Sequence, residues 1–546
     1  ITKGFLKLHP LDNVMVALSD FPAGEVLVFE DQAIQLKEDI FQKHKIYLHD
    51  MAEADDVLMY GVLVGKTTRP VLSGEMMTTD NLRHAAEPFA YRNVNYTWHQ
   101  PDVSKFKNRT FNGYYRSDGK IGTANHWLFI PTVFCENRNL DVIKAALHNA
   151  LGYGQHEKYN AFAEMLTRAF YTGEDINAID FSPGLQSNKT RVFKNVDGIK
   201  FLNHQGGCGG TRQDADMLSK LLAAYANHPN VGGVTVLSLG CQHLQIQNLL
   251  EDLKALNPAF SKPMLIFEQQ KSQSEEHLVA QAIRETFKSL MKINDIGRQP
   301  APLSKLTLGV KCGGSDGFSG ISANPSVGYA ADLLVALGGK VLLAEFPELC
   351  GAEQNIIDRC EDQQSAEKFI RLMNAYDAQA HAVGSGFFMN PSPGNIKDGL
   401  ITDAIKSTGA AKKGGTAPVS DVLDYTEEAI KPGLNLVCTP GNDVEATTGK
   451  TASGATLILF TTGLGTPTGN PICPVIKVAT NTALATRMND IIDIDSGGVI
   501  TGEKSIQQMG EEILEFCIKV AGGETIPKAV QLGQDDFIPW KRGVSL

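Results

Sequence analysis

Chemistry-bearing side chains concentrate in one stretch, Lys311-Cys312-Gly313-Gly314-Ser315-Asp316-Gly317-Phe318-Ser319-Gly320-Ile321-Ser322-Ala323-Asn324-Pro325, which follows an apolar run. Cysteine and aspartate ligate metals or move protons. Glycines let backbone approach a ligand closely, and their amides can form an anion-binding nest. The competing reading is a structural turn with a buried thiol. Two further loops share the pattern, His204-Gln205-Gly206-Gly207-Cys208 and Gly240-Cys241. Cys208, Cys241 and Cys312 therefore read as ligands of an iron–sulfur cluster with one open iron, or of a single Fe²⁺, and spacing does not choose. Glu345 and Glu348 follow another apolar run, as metal ligands, an acid/base pair, or the charged first turn of a helix. The turn-dense loop Asn390 to Asn395, then Lys406 and Lys412 to Thr416, add amides and positive charge suited to a carboxylate. Thr461 to Pro471 is GxGxxxG with prolines at 467 and 471, a weak dinucleotide fingerprint whose hydroxyls better suit a polyhydroxy acid.

These loops need elements to carry them. Apolar runs at 127–135, 198–202, 234–239, 306–310, 340–344 and 456–460 read as strands. Helical patterns follow at 139–151 (capped by Asn139), 214–226, to about 256, and 326–337, with a last helix at 505–521. Strand–loop–helix repetition predicts α/β domains with largely parallel sheets and a site beyond the strands' carboxyl ends. Cys135, His204, Cys208 and Cys241 are expected there. Residues 5–82 hold short strand-like runs at 14–18, 25–29, 46–48, 57–64 and near Met76, which predicts a small β-rich module. The expected organisation is residues 1–84, a linker 85–110, an α/β domain 111–300 and a second α/β domain 301–546.

A net charge of -11 over 546 residues argues against nucleic acid or an anionic membrane surface as partner. No apolar run approaches the roughly 20 residues that span a bilayer. Nine cysteines without a CxxC pair or a secretory pattern predict reduced thiols and a cytoplasmic protein. A homo-oligomer is compatible with all of this.

The pieces KCGGSDGFSGISANPSVGYAADLL, AEFPELCGAEQ, NPSPGN, FTTGLGTPTGNP and PVIKVATNT resemble the altronate/galactarate dehydratase family, from Gly113 to about Gly502. Leu8 to Asn13, Lys43-His44-Lys45 and Met59 to Gly65 resemble its amino-terminal SAF (β-clip) domain. Lys43 stands where that family shows glycine and Met59 where it shows lysine. Met76 to Asn81 lacks the family's histidine pair, and Ile405 precedes Lys406 where the family has glutamate. The resemblance implies dehydration of a sugar acid, D-altronate to 2-dehydro-3-deoxy-D-gluconate, in hexuronate catabolism, with galactarate or sulfolactate elimination as the alternative. It further implies iron, with manganese able to serve. On that basis Cys208, Cys241 and Cys312 lie near the iron, Asp316 and Glu345 act as ligand or acid/base, and His204 is base or ligand. Lys406 holds the carboxylate, and Ser315, Ser319, Asn324, Asn390, Asn395, Thr461 and Thr462 hold the remaining substrate oxygens.

Overall fold

Short β-branched runs broken by tight turns make the first module. In the computed structural model, which describes residues 4–30, 32–154, 157–181 and 190–543, these runs form eight strands: β1 (Phe5–Leu6), β2 (Val14–Ala17), β3 (Val26–Phe29), β4 (Gln32–Gln35), β5 (Lys45–Tyr47), β6 (Asp56–Met59), β7 (Val62–Thr67) and β8 (Leu82–His84). Every pairing among them is antiparallel. The run expected as one strand at 57–64 is a hairpin, because Tyr60 and Gly61 both take positive φ, 60° and 78°. Two consecutive left-handed residues are what a two-residue hairpin turn requires. Met76 contributes only an isolated bridge to Ile46, and the last strand comes later, at β8. Residues 85–109 contain no helix or strand.

The chain divides into two compact units. One comprises residues 1–111, 301–467 and 475–520; the other comprises 112–300, 468–474 and 521–546. The carboxyl-terminal tail and the short segment 468–474 thus pack with the second unit.

The second unit is built on a parallel sheet of β9 (His126–Pro131), β10 (Gly198–Phe201), β11 (Val231–Ser238) and β12 (Met264–Glu268), in the order β10-β9-β11-β12. Buried strands with both faces covered read as continuous apolar runs, and Trp127, Phe129 and Leu237 pack there with Leu140, Ile143 and Leu147 of α1 (Asn137–Leu151). That helix begins two residues before Asn139, which lies inside it and donates to Glu136 Oε2 at 2.9 Å instead of capping. Helix α2 (Arg212–Asn227) is capped by Thr211, whose hydroxyl accepts from the Asp214 amide.

The first unit carries seven parallel strands: β13 (Thr307–Cys312), β14 (Lys340–Leu343), β15 (Val419–Leu423), β16 (Gly433–Val437), β17 (Leu457–Thr462), β18 (Val475–Ala479) and β19 (Ile494–Asp495). Their order is β15-β16-β14-β13-β17-β18-β19. The winding direction reverses between β13 and β17, and at such a switch point the flanking loops diverge and leave a crevice. Helix α3 (Ala323–Ala336) follows β13 and starts earlier than 326, taking Asn324 into its first turn. No helix among the described residues is long and apolar enough to cross a membrane.

Helix α3 lies hard against the Lys412 turn: a Cβ on Gly328 would stand 2.1 Å from the Lys412 carbonyl oxygen. Gly328→Ala should therefore lower stability by roughly 1–3 kcal/mol despite alanine's better helix propensity, read as a fall in Tm.

Candidate active site

The switch point fixes two glycine loops against each other. Gly313 N donates to Thr461 O, and Gly463 N to Gly314 O, each at 3.0 Å. Gly463 must be glycine, since a Cβ there would sit 2.2 Å from Asp316 Cγ. Asp316 is fully buried. Its Oδ1 accepts from Ser319 Oγ (3.1 Å) and Phe318 N (3.2 Å); its Oδ2 accepts from Thr480 Oγ1 (3.1 Å) and pairs with Lys43 Nζ at 2.9 Å. Thus a β5-edge residue of the amino-terminal module reaches the glycine loop of β13. Beside it, His44 Nε2 meets Lys397 O at 3.1 Å and Lys45 donates to Gly399 O. Burial brings Lys45 down to about 7, Asp316 opposing.

At the end of β14 lies a second cluster. Glu345 has φ 71°, a left-handed conformation that a non-glycine residue adopts only under constraint. Its side chain makes no helix-capping bond. Instead, fully buried, it receives three buried ammonium groups: Lys311, Lys450 at 3.3 Å and Lys413 at 3.4 Å. Lys311 also pairs with Asp443 at 3.0 Å. Lys413 donates to Cys312 Sγ at 3.3 Å, and that thiol donates to Glu348 Oε2 at 3.6 Å. Glu348 pairs with Lys406 at 3.1 Å, which also donates to Asn390 Oδ1 at 2.7 Å. Burial alone would raise Glu345, but Lys311, Lys413 and Lys450 hold it far below the usual carboxylate range. Burial works against the charge of Lys311 too, and Glu345 with Asp443 outweighs it, holding that ammonium well above its ordinary value. For Lys450, by contrast, burial wins and brings it to about 8. Burial pushes the Cys312 thiol up.

The sequence-expected residues divide accordingly. Cys312, Glu345, Lys406 and Asn390 belong to this cluster, with Glu348. Ser319, Asn324, Asn395, Thr461 and Thr462 instead tie loops together: Thr461 Oγ1 donates to Asn324 Oδ1 at 2.6 Å, Asn395 Nδ2 to the Ser315 carbonyl at 2.8 Å, and Gly465 N to Thr462 Oγ1 at 2.9 Å. Their polar atoms shape the crevice. Cys135, His204, Cys208 and Cys241 follow strands β9, β10 and β11 of the second unit at their carboxyl ends, on loops stitched by Phe134 N to Gly206 O and Leu244 N to Gly207 O, both 3.1 Å. The three thiols are exposed. His204 is buried, with Nε2 on Pro131 O at 2.8 Å and Nδ1 accepting from Gly206 N at 3.1 Å, and burial lowers it to about 4. Backbone thus engages both ring nitrogens. Lys450 and Asp443 were not singled out from sequence, and Lys311, Lys43, Lys45, Thr480 and Asn481 stood only inside longer motifs with no role of their own.

Among the described residues, one group of three acidic, thiol or imidazole donors lies close enough to share an ion: Cys312, Glu345 and Glu348, with ligand atoms within 4.8 Å of one another. Its chemistry does not fit a resident iron. The four ammonium groups of Lys311, Lys406, Lys413 and Lys450 already outnumber the three carboxylates of Glu345, Glu348 and Asp443, so a divalent ion would add uncompensated buried charge.

A cavity of about 390 Å³ opens in the same unit, lined by His84, Cys350, Glu353, Asn374, Asp377 and Phe387 among others. The loops after Glu348 and before Asn390 supply part of its wall. Burial raises Glu353 to about 7, and the nearby Asp403 to about 8.

Three family models match the chain in sequence: the altronate/galactarate dehydratase SAF domain over residues 3–85, the second domain of D-galactarate dehydratase/altronate hydrolase over 113–294, and the C-terminal D-galactarate/altronate dehydratase domain over 303–545. Altronate dehydratase of Escherichia coli (strain K12) is 32% identical over 528 residues, 95% of either chain. The chain belongs to the altronate/galactarate dehydratase family. Altronate dehydratase of Bacillus subtilis (strain 168) is likewise 32% identical, over 96% of both chains. Galactarate dehydratase (L-threo-forming) of Escherichia coli is 30% identical over 96% of this chain and 94% of its own.

Because Glu353 is held above its unfolded value, its contribution to stability is complete below about pH 4.5 and is lost as pH rises through about 7. The Tm advantage of Glu353→Gln over the parent should therefore grow between pH 4.5 and 8. A difference flat in pH would contradict it.

Proposed function

We propose that this protein is a sugar-acid hydro-lyase of the altronate dehydratase type, converting D-altronate to 2-dehydro-3-deoxy-D-gluconate and water. The observation that carries the reading is the buried ammonium array of Lys311, Lys406, Lys413 and Lys450 in a chain aligned end to end with altronate dehydratases. Removing the weakly acidic proton beside a carboxylate builds a second negative charge on that group, and fixed cations in a water-poor site stabilise it without reorganising. Lys406 and Asn390 hold the substrate carboxylate; Asn390 Nδ2 is buried without a protein partner, a donor suited to a substrate oxygen. Glu348, which shares a single ammonium, takes the proton, whereas Glu345, neutralised by three, anchors the array. Lys450, brought by burial to about 8, supplies the proton to the departing hydroxyl. The polyol chain lies in the cavity, where Glu353 and Asn374 read its hydroxyls. His204 keeps a loop-shaping role in this reading, and no iron is assigned to the lysine array. The reaction belongs to a cytoplasmic enzyme of hexuronate catabolism with a small sugar acid as its partner.

Formation of the 2-keto-3-deoxy acid from D-altronate, with galactarate and sulfolactate in parallel, tests the substrate. Glu348→Gln should lower kcat by about 10²- to 10⁴-fold with the fold intact by circular dichroism. A loss under tenfold removes Glu348 as the base.

A further inference from the structure

Free cysteines are ordinarily among the most buried side chains. Of the nine here, three are exposed, Cys135, Cys208 and Cys241, and they fall on three loops at one edge of one sheet. Those loops leave β9, β10 and β11 at their carboxyl ends, and β9 lies between the other two, parallel to both. Phe134 N donates to Gly206 O, so the residue before Cys135 meets the glycines before Cys208, and Leu244 N closes the Cys241 loop on Gly207 O. Gly207 takes φ 94°, and a Cβ there would stand 2.1 Å from Thr132 O. Only bare backbone lets the loops approach this closely. Cys241 Sγ accepts from Gln270 Nε2 at 3.2 Å, the kind of hydrogen bond that a cluster-bound sulfur receives.

Core packing does not account for thiols that face water, and soft sulfur donors grouped on adjacent loops suit iron–sulfur chemistry. Among the described residues, the three sulfurs are not a set whose members all lie within 4.8 Å of one another, as ligands of one ion would. In a cluster each thiolate takes its own iron, which sets the sulfurs wider apart. His204 has both ring nitrogens on backbone and is not a further ligand.

We propose that Cys135, Cys208 and Cys241 hold an iron–sulfur cluster at the carboxyl edge of the second unit's sheet, one thiolate on each of three irons and one iron left open. Each thiol gives up its proton to water as it binds. The ligand set expected from sequence thus keeps Cys208 and Cys241 and exchanges Cys312, buried against Lys413 in the other unit, for Cys135.

Iodoacetamide labelling of the full chain, before and after anaerobic reconstitution with ferrous iron and sulfide, tests this without any substitution. The apoprotein should alkylate at Cys135, Cys208 and Cys241. The reconstituted protein should hold iron and acid-labile sulfide in equal amounts, show the broad visible absorption of thiolate-bound iron, and leave all three thiols unlabelled. Cys135→Ala should lower bound iron and sulfide together by about tenfold or more, with circular dichroism unchanged. A chain that takes up no iron and sulfide overturns the proposal, as does iron bound without sulfide. So does any of the three thiols still reactive in the loaded protein, or a Cys135→Ala protein that loads as the parent does. None of these readouts is turnover, so failure of the dehydratase reading leaves the test intact.

Discussion

Buried charge has to be balanced, and in this protein Glu345 is where the balance is struck. A carboxylate with no solvent access is tolerable only when cations and hydrogen bonds replace its water. Three lysines converge on it from different elements: Lys311 from β13, Lys450 from the helix after β16, and Lys413 from the turn after Lys406. Each of those ammonium groups is itself buried and depends on Glu345, with Asp443 and Cys312 as further partners. The cluster is therefore a mutual condition. Removing Glu345 leaves three ammonium groups facing one another in a place that water cannot reach.

Sheet order explains how residues so far apart in sequence meet. The reversal between β13 and β17 opens a crevice, and the glycine loops beyond those strands close around Asp316 without side chains in the way. Hydroxyl and amide side chains then lock one loop to the next, as Thr461 does with Asn324 and Asn395 with Ser315. Beyond those locks lie the charged heads, paired with one another, and the cavity wall near Glu353.

The sequence showed the loops better than it showed their cargo. Apolar runs ending in glycine, thiol and carboxylate are visible by periodicity alone, and the strands and their carboxyl-end loops followed from them. Only half of the lysine array was visible: Lys406 and Lys413 stood out as charge suited to a carboxylate, but Lys311 and Lys450 did not, because lysine is ordinarily a surface residue and a window-by-window reading treats it so. The signal was present in Lys311 at the end of Thr307-Leu308-Gly309-Val310, and in Lys450 among threonines, alanines and glycines, settings with no polar face to turn outward. Asn324, Asn395, Thr461 and Thr462, expected from sequence to face a substrate, bond neighbouring loops for a related reason. Composition identifies a polar loop, but whether its polar atoms face a ligand or a neighbouring loop depends on tertiary contacts. The hairpin at Tyr60 and Gly61 turned on the left-handed conformation of a tyrosine, which propensity does not anticipate.

The apolar core of the amino-terminal module is not its own. Val14, Tyr47, Met59, Val64 and Leu82 pack with Phe318, Ile321, Leu400, Ile401 and Ile405, residues that leave the ribosome only after residues 112–300 of the second unit have been made. During synthesis the module must wait with an unfinished, greasy face, and with Lys43 lacking the carboxylate it will meet. Nascent chains of this protein thus pass through a long interval in which a chaperone, or a premature partner, competes for that face.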